Sequence, residues 1–187
     1  MSRKNLSKDP YWKMMYYFFS LPSKEIGLNG LSKQLGMSKT TTKSNVESLI
    51  KEGFLKKKVY GNSWIIYCDK GHIYNSMYKI PYNLSLVLQT YHDSLREYII
   101  NQIGNFQSVC LFGSYCKGDD NEESDIDIAV EVLDDDKKSK IKERKIKSLG
   151  YRTDVPVNFH VFTRKDIDKN LFANIANGIV IEGFLEV

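Results

Sequence analysis

Two aspartates, Asp125 and Asp127, stand one residue apart in Ser124-Asp125-Ile126-Asp127-Ile128, with ten residues separating them from the turn Gly113-Ser114. On a strand, residues i and i+2 point to the same face, so both carboxylates project together while Ile126 and Ile128 enter the core. Like charges this close repel unless a cation lies between them, and carboxylate oxygens suit Mg²⁺. Gly113 follows the apolar run Val109-Cys110-Leu111-Phe112. It lets backbone N–H groups approach a phosphate, and the Ser114 hydroxyl adds a donor. The chemistry these residues could do is to hold a nucleoside triphosphate and its metal.

The string Leu111-Phe112-Gly113-Ser114-Tyr115-Cys116-Lys117-Gly118, followed by Ser124-Asp125-Ile126-Asp127-Ile128, resembles the nucleotidyltransferases of the polymerase-β superfamily. It is most similar to their minimal branch, and the likeness extends over residues 84–187. The resemblance implies metal binding by Asp125 and Asp127 and triphosphate binding by Gly113, Ser114 and Lys117, where the family favours Arg or Lys. It also implies transfer of a nucleoside monophosphate to a hydroxyl acceptor. The branch includes antitoxins that modify a partner toxin, so a protein acceptor falls within the implied substrate class.

The family adds a third carboxylate from a later strand. Here that strand reads Val155-Pro156-Val157-Asn158-Phe159-His160-Val161-Phe162, which puts Asn158 in the third catalytic position. An amide can offer an oxygen to a metal but cannot act as a base. His160, on the same face as Asn158, and Asp154, just before Pro156, are the alternative proton acceptors. The departure sets a second reading beside the enzyme: a transcription regulator whose second half binds nucleotide without turnover. A pure interaction scaffold leaves the acidic pair without a use.

These residues need elements to position them. A length of 187 residues allows one or two domains with real cores. The expected class is α+β, with residues 1–80 as one domain and 81–187 as a mixed-sheet nucleotidyltransferase domain. Residues 1–80 carry 14 Lys and Arg against 5 Asp and Glu, a balance of +9, and residues 81–187 carry 13 against 18, a balance of −5. The first part is therefore the one to face a polyanion. No apolar run is long enough to span a bilayer, and no secretory segment follows Met1. Cys68, Cys110 and Cys116 lack metal-binding spacing, and a reduced, cytoplasmic setting is expected.

The first part resembles the winged helix-turn-helix domains of prokaryotic regulators, with helices over 11–19, 28–35 and 39–52 and strands over 54–60 and 63–69. Leu28, Leu31 and Leu35 give the second helix its stripe, and Val46, Leu49 and Ile50 give the third. Ser38 is placed to cap the third helix and Gly53 to stop it. Lys39, Thr40, Thr41, Lys43 and Ser44 fall on the outer face, as a major-groove reader of duplex DNA requires. Lys56, Lys57 and Lys58 lie on the hairpin, where a wing meets phosphates.

Residues 71–83 read as mixed linker containing Pro81. A helix is expected over 84–103, its face of Leu84, Val87, Leu88, Tyr91, Leu95, Tyr98, Ile99 and Ile103 packing on the next domain or on a second copy of the chain. Beyond it the reading gives strand 107–112, a short helix, strand 125–132, helix 135–149 opened by Asp134-Asp135-Asp136, strand 155–163, helix 165–176 and strand 179–184.

Overall fold

The computed structural model describes residues 8–133 and 143–186. Helix α1 (Pro10–Ser20) is capped by the Asp9 carboxylate, which accepts from the Tyr11 N–H, with Pro10 in the first turn where no backbone donor is needed. A two-residue strand β1 (Ile26–Gly27) leads into α2 (Leu28–Leu35), which Gly36 closes in the left-handed conformation. Ser38 caps α3 (Lys39–Lys51) by accepting from the Thr41 N–H. Strands β2 (Leu55–Tyr60) and β3 (Ser63–Cys68) then form a hairpin across Gly61-Asn62, and β1 joins it on the far side of β3.

A long helical run follows: a π turn (Asn75–Lys79), α4 (Ile80–Thr90), a second π turn (Tyr91–Leu95) and α5 (Arg96–Ile103). The run begins well before the expected start at residue 84. Pro81 cannot donate to the ladder and would crowd an ordinary preceding turn; the wider π turn before it accommodates the ring. The buried stripe includes Tyr82, Asn83, Leu86 and Val87, then Tyr91, Leu95, Ile99 and Ile103, while Leu84, Leu88 and Tyr98 are only partly covered.

The second sheet has the order β6-β7-β5-β4-β8. Its strands are β4 (Ser108–Phe112), β5 (Ile126–Glu131), β6 (Arg144–Leu149), β7 (Arg152–Phe162) and β8 (Ile179–Gly183), with the short helix α6 (Ser114–Lys117) after β4 and α7 (Lys169–Ala176) before β8. Only the β5–β7 pair is parallel among the described strands, so the sheet is mixed and the class α+β. Pro156 lies one residue ahead of the β5 register, which begins at Val157, and opposite Lys145 of the edge strand β6.

The expected helix 135–149 is corrected over its last part, and residues 135–142, with the Asp134–Asp136 opening, lie outside the described residues. Residues 144–149 form an edge strand in which Lys145 and Lys147 face out while Arg144, Ile146 and Ser148 turn inward, a period of two. The Leu149–Arg152 pair closes a hairpin across Gly150-Tyr151, and Gly150 has φ 59°. A side chain at Gly150 would overlap the Tyr82 hydroxyl, so close packing on α4 also requires glycine there. Helix α7 starts at Lys169, later than expected, because Asp168 caps it by accepting from the Asn170 and Leu171 N–H groups.

One continuous core runs from Met14, Phe18 and Leu49 through Val87 and Leu95 to Ile126, Ile128 and Val157. A smaller cluster of Cys110, Phe112, Ala129, Phe162 and Ile175 lies on the other sheet face, under α7. The candidate site opens beside this second face. Among the described residues no helix is long and apolar enough to cross a membrane.

Candidate functional site

Asp127 lies in β5 opposite Phe112 of β4, and Asp125 immediately precedes the strand. Ile126 and Ile128 are fully buried while both aspartates are only partly buried, as alternation requires. Register pairs Asp127 with Asn158 of the parallel strand β7. The Asn158 amide donates to Asp125 Oδ2, and its nitrogen lies 3.5 Å from Asp127 Oδ1. One amide nitrogen thus meets both carboxylates, which fixes them on the same side of the sheet.

Gly113 follows Phe112 directly and has φ 75° and ψ −153°, a conformation open essentially to glycine alone. A side chain there would overlap Asp127 Oδ2. The backbone therefore passes against the carboxylate, and Ser114 starts α6 at the same edge, half-buried. Lys117 ends α6 and is exposed. Cys116 donates to the Gly113 carbonyl at 3.2 Å, and burial pushes its thiol pKa up, away from reactivity.

His160, two residues beyond Asn158, places Nε2 3.3 Å from Asp127 Oδ1 and its ring 5.0 Å from Phe112, edge on. Its partner in register is Ala129, whose methyl leaves room for the imidazole. Asp154 is exposed at an isolated left-handed position, φ 53°, and lies before the β5–β7 register begins. Among the described residues no group of three or more His, Cys, Asp and Glu forms a metal cluster. The oxygen donors at this point are the two carboxylates, hard ligands of the kind Mg²⁺ takes, while Asn158 presents its amide nitrogen to them.

Several residues that hold the site have no motif in the sequence. Lys79 and Asp120 form a buried ion pair, Nζ to Oδ1 3.1 Å, each side chain only 2% exposed. Lys79 also donates to the Asp120 carbonyl at 2.5 Å, and Asn83 donates to Asp120 Oδ1 at 2.6 Å. Burial raises the Asp120 carboxyl pKa more strongly than Lys79 lowers it. Arg152 reaches the Tyr115 hydroxyl and the carbonyls of Glu122 and Ser124. A lysine within the apolar text Met77-Tyr78-Lys79-Ile80 was the available signal for the ion pair.

The residues expected to meet DNA are spread over α3 and the β2–β3 hairpin. Lys39, Thr40, Lys43 and Ser44 are exposed, but the Thr41 hydroxyl is shared with Ser38 at 2.8 Å. Lys56 pairs with Asp69 at 2.6 Å and Lys58 with Glu25 at 2.7 Å. Lys57 lies over the Trp64 ring at 3.4 Å, with Lys43 at 5.4 Å from the same ring.

Residues 93–182 match the family model described as Polymerase beta, Nucleotidyltransferase. That stretch takes in most of the mixed sheet and the Asp125/Asp127 pair, and the match supports a nucleotidyltransferase domain of the polymerase-β kind over those residues. Neither the curated proteins nor the solved structures gave a match.

Proposed function

We propose that the chain is a Mg²⁺-dependent nucleotidyltransferase that moves a nucleoside monophosphate from an NTP to a hydroxyl acceptor, with a DNA-binding winged helix at its N-terminus. The observation that carries the catalytic half is the meeting of Asp125 and Asp127 on one amide nitrogen beside the Gly113 backbone. Asp125 and Asp127 would hold the cation, with the Asn158 carbonyl oxygen available after an amide flip. When bound, the cation neutralises charge on the triphosphate and on the leaving pyrophosphate. Gly113 lets the phosphate chain approach main-chain N–H groups, Ser114 donates its hydroxyl, and the exposed Lys117 adds charge at the outer end.

Asn158 cannot take the proton of the acceptor hydroxyl, so turnover is slow with ordinary acceptors; a positioned base is worth about 10²–10⁴-fold. The amide bridge also favours a second reading, a transcription regulator that senses nucleotide without turnover. Incubating the full chain with labelled NTPs, Mg²⁺ and candidate acceptors, a partner protein toxin among them, separates the two. Label transfer abolished by Asp127→Ala supports the enzyme, and NTP binding with no transfer supports the sensor.

The order helix, short strand, helix, helix, hairpin over residues 10–68 supports the winged-helix reading. Duplex DNA would meet Lys39, Thr40, Lys43 and Ser44 on α3 and Lys57 on the hairpin, with Lys56 and Lys58 recruited only if they leave Asp69 and Glu25. Binding that falls steeply with salt is the expected result. Absence of DNA affinity at low salt would make this half a protein-interaction module.

A further inference from the structure

We propose that Arg152 is a positioning residue for the metal and nucleotide site, an inference that rests on the reading of Asp125 and Asp127 as metal ligands. Arg152 opens β7 and is 7% exposed. Its Nη1 donates to the Tyr115 hydroxyl at 2.5 Å, and its Nη2 donates to the Glu122 carbonyl at 2.8 Å and the Ser124 carbonyl at 2.5 Å. None of these acceptors is a carboxylate. Burying a guanidinium is costly; three neutral acceptors recover its hydrogen bonds, and the charge of the nearby Asp120 carboxylate is felt without a direct bond.

The acceptors explain the placement. The Ser124 carbonyl belongs to the peptide that enters Asp125, so holding it sets the direction in which the Asp125 side chain leaves the main chain. Tyr115 is the second residue of α6, directly after Ser114. One guanidinium therefore ties the phosphate-binding turn to the acidic pair. Between them the chain closes on itself through Asn121 N–H to Ser124 Oγ at 2.9 Å and Glu123 N–H to Asn121 Oδ1 at 2.8 Å. That turn leaves the carbonyls of Glu122 and Ser124 for Arg152. Six residues further along the same strand, Asn158 donates to both aspartates. Strand β7 thus sets the pair from two points, the backbone through Arg152 and the carboxylates through Asn158. A lysine has the charge but not the fork, and cannot reproduce a planar grip on three acceptors.

The test uses the full chain, Mn²⁺ as a spectroscopic probe, and a fluorescent ATP analogue measured with Mn²⁺ and with chelator. Arg152→Met is expected to weaken Mn²⁺-dependent nucleotide binding by about 10–100-fold, the usual effect of losing a group that orients metal ligands. The Mn²⁺ resonance line shape should change, while nucleotide binding in chelator stays the same. Arg152→Lys should recover only a small part, and Tyr115→Phe, which keeps both carbonyl contacts, should lose less than threefold. If Arg152→Met does not fold, Arg152→Lys decides: at least tenfold weaker binding supports the role, and parental binding overturns it. Folded Arg152→Met with parental Mn²⁺ affinity and line shape overturns the positioning role alone. A parent chain that binds no Mn²⁺ overturns the metal-site reading, and this inference with it.

Discussion

The β2–β3 hairpin and the chain between Gly118 and Asp125 both present charged side chains, in opposite surroundings. On the hairpin, Lys56 and Lys58 pair with Asp69 and Glu25 in contact with solvent. In the second region, Lys79 and Asp120 pair with almost no exposure and are backed by Asn83. Distances are similar, 2.6 and 2.7 Å against 3.1 Å, so distance does not set the worth of these pairs. Water screens the first kind and leaves its ions free to exchange partners. Burial removes that exchange, so losing either member of the second kind leaves the other charge buried without its ion-pair partner. Surface ions suit a face that trades partners with a polyanion, and buried ions suit a scaffold that must not move.

The largest test of this contrast is Lys79→Met. Leaving Asp120 buried and unpaired should cost about 3–5 kcal/mol in denaturant unfolding of the full chain. Replacing both residues by apolar ones should recover much of that loss. Burial already holds the folded Asp120 carboxyl above its ordinary value of 3.8. The folded state therefore binds the extra proton first, and the Lys79→Met deficit should shrink as the pH falls through the folded pKa. An equal cost at all pH values would mean that the ion pair is not the source of the loss.

Gly113→Ala comes next. The conformation at Gly113 costs other residues about 1–3 kcal/mol, and the new methyl would displace the Asp127 carboxylate. Nucleotide binding should become indifferent to Mg²⁺, measured by titration with and without the metal. Unchanged Mg²⁺ dependence would mean that Asp127 does not serve that site.

Asn158→Asp removes the amide that meets both aspartates and sets a third carboxylate beside them. Without metal the variant should be less stable by about 1 kcal/mol. With Mg²⁺ its unfolding midpoint should rise more than that of the parent, because the cation now relieves three like charges. If the site geometry is otherwise complete, label transfer from NTP should also increase.

The smallest effects belong to the hairpin. Lys56→Gln and Lys58→Gln should leave the unfolding midpoint unchanged at moderate salt. The hydrogen bond from Lys56 holds the Asp69 carboxyl below its ordinary value of 3.8. Whatever that pair adds is present above this pH and is lost as the pH falls through the folded pKa. Charge reversal of Lys57, which has no carboxylate partner in the pairs above, should weaken DNA binding more than reversal of Lys56. A reversed order would show that the ion pairs open on binding.

Local sequence determined a good deal. Leu28, Leu31 and Leu35, then Gly36 and Ser38, fixed α2 and the start of α3, because stripe and caps are all read within a few residues. The alternation Asp125-Ile126-Asp127-Ile128 fixed which side chains enter the core and which leave it, since a strand has period two. The lysine-rich text before Gly150 gave the wrong element, since its charge masked an alternation that only pairing with β7 makes decisive. Tertiary structure alone decided the rest. Lys79 meets Asp120 across 41 residues, Arg152 meets Ser124 across 28, and Asn158 meets Asp125 across 33. Such contacts leave no periodic trace, because each depends on how two distant backbones register, and their energies arise only where burial has excluded water.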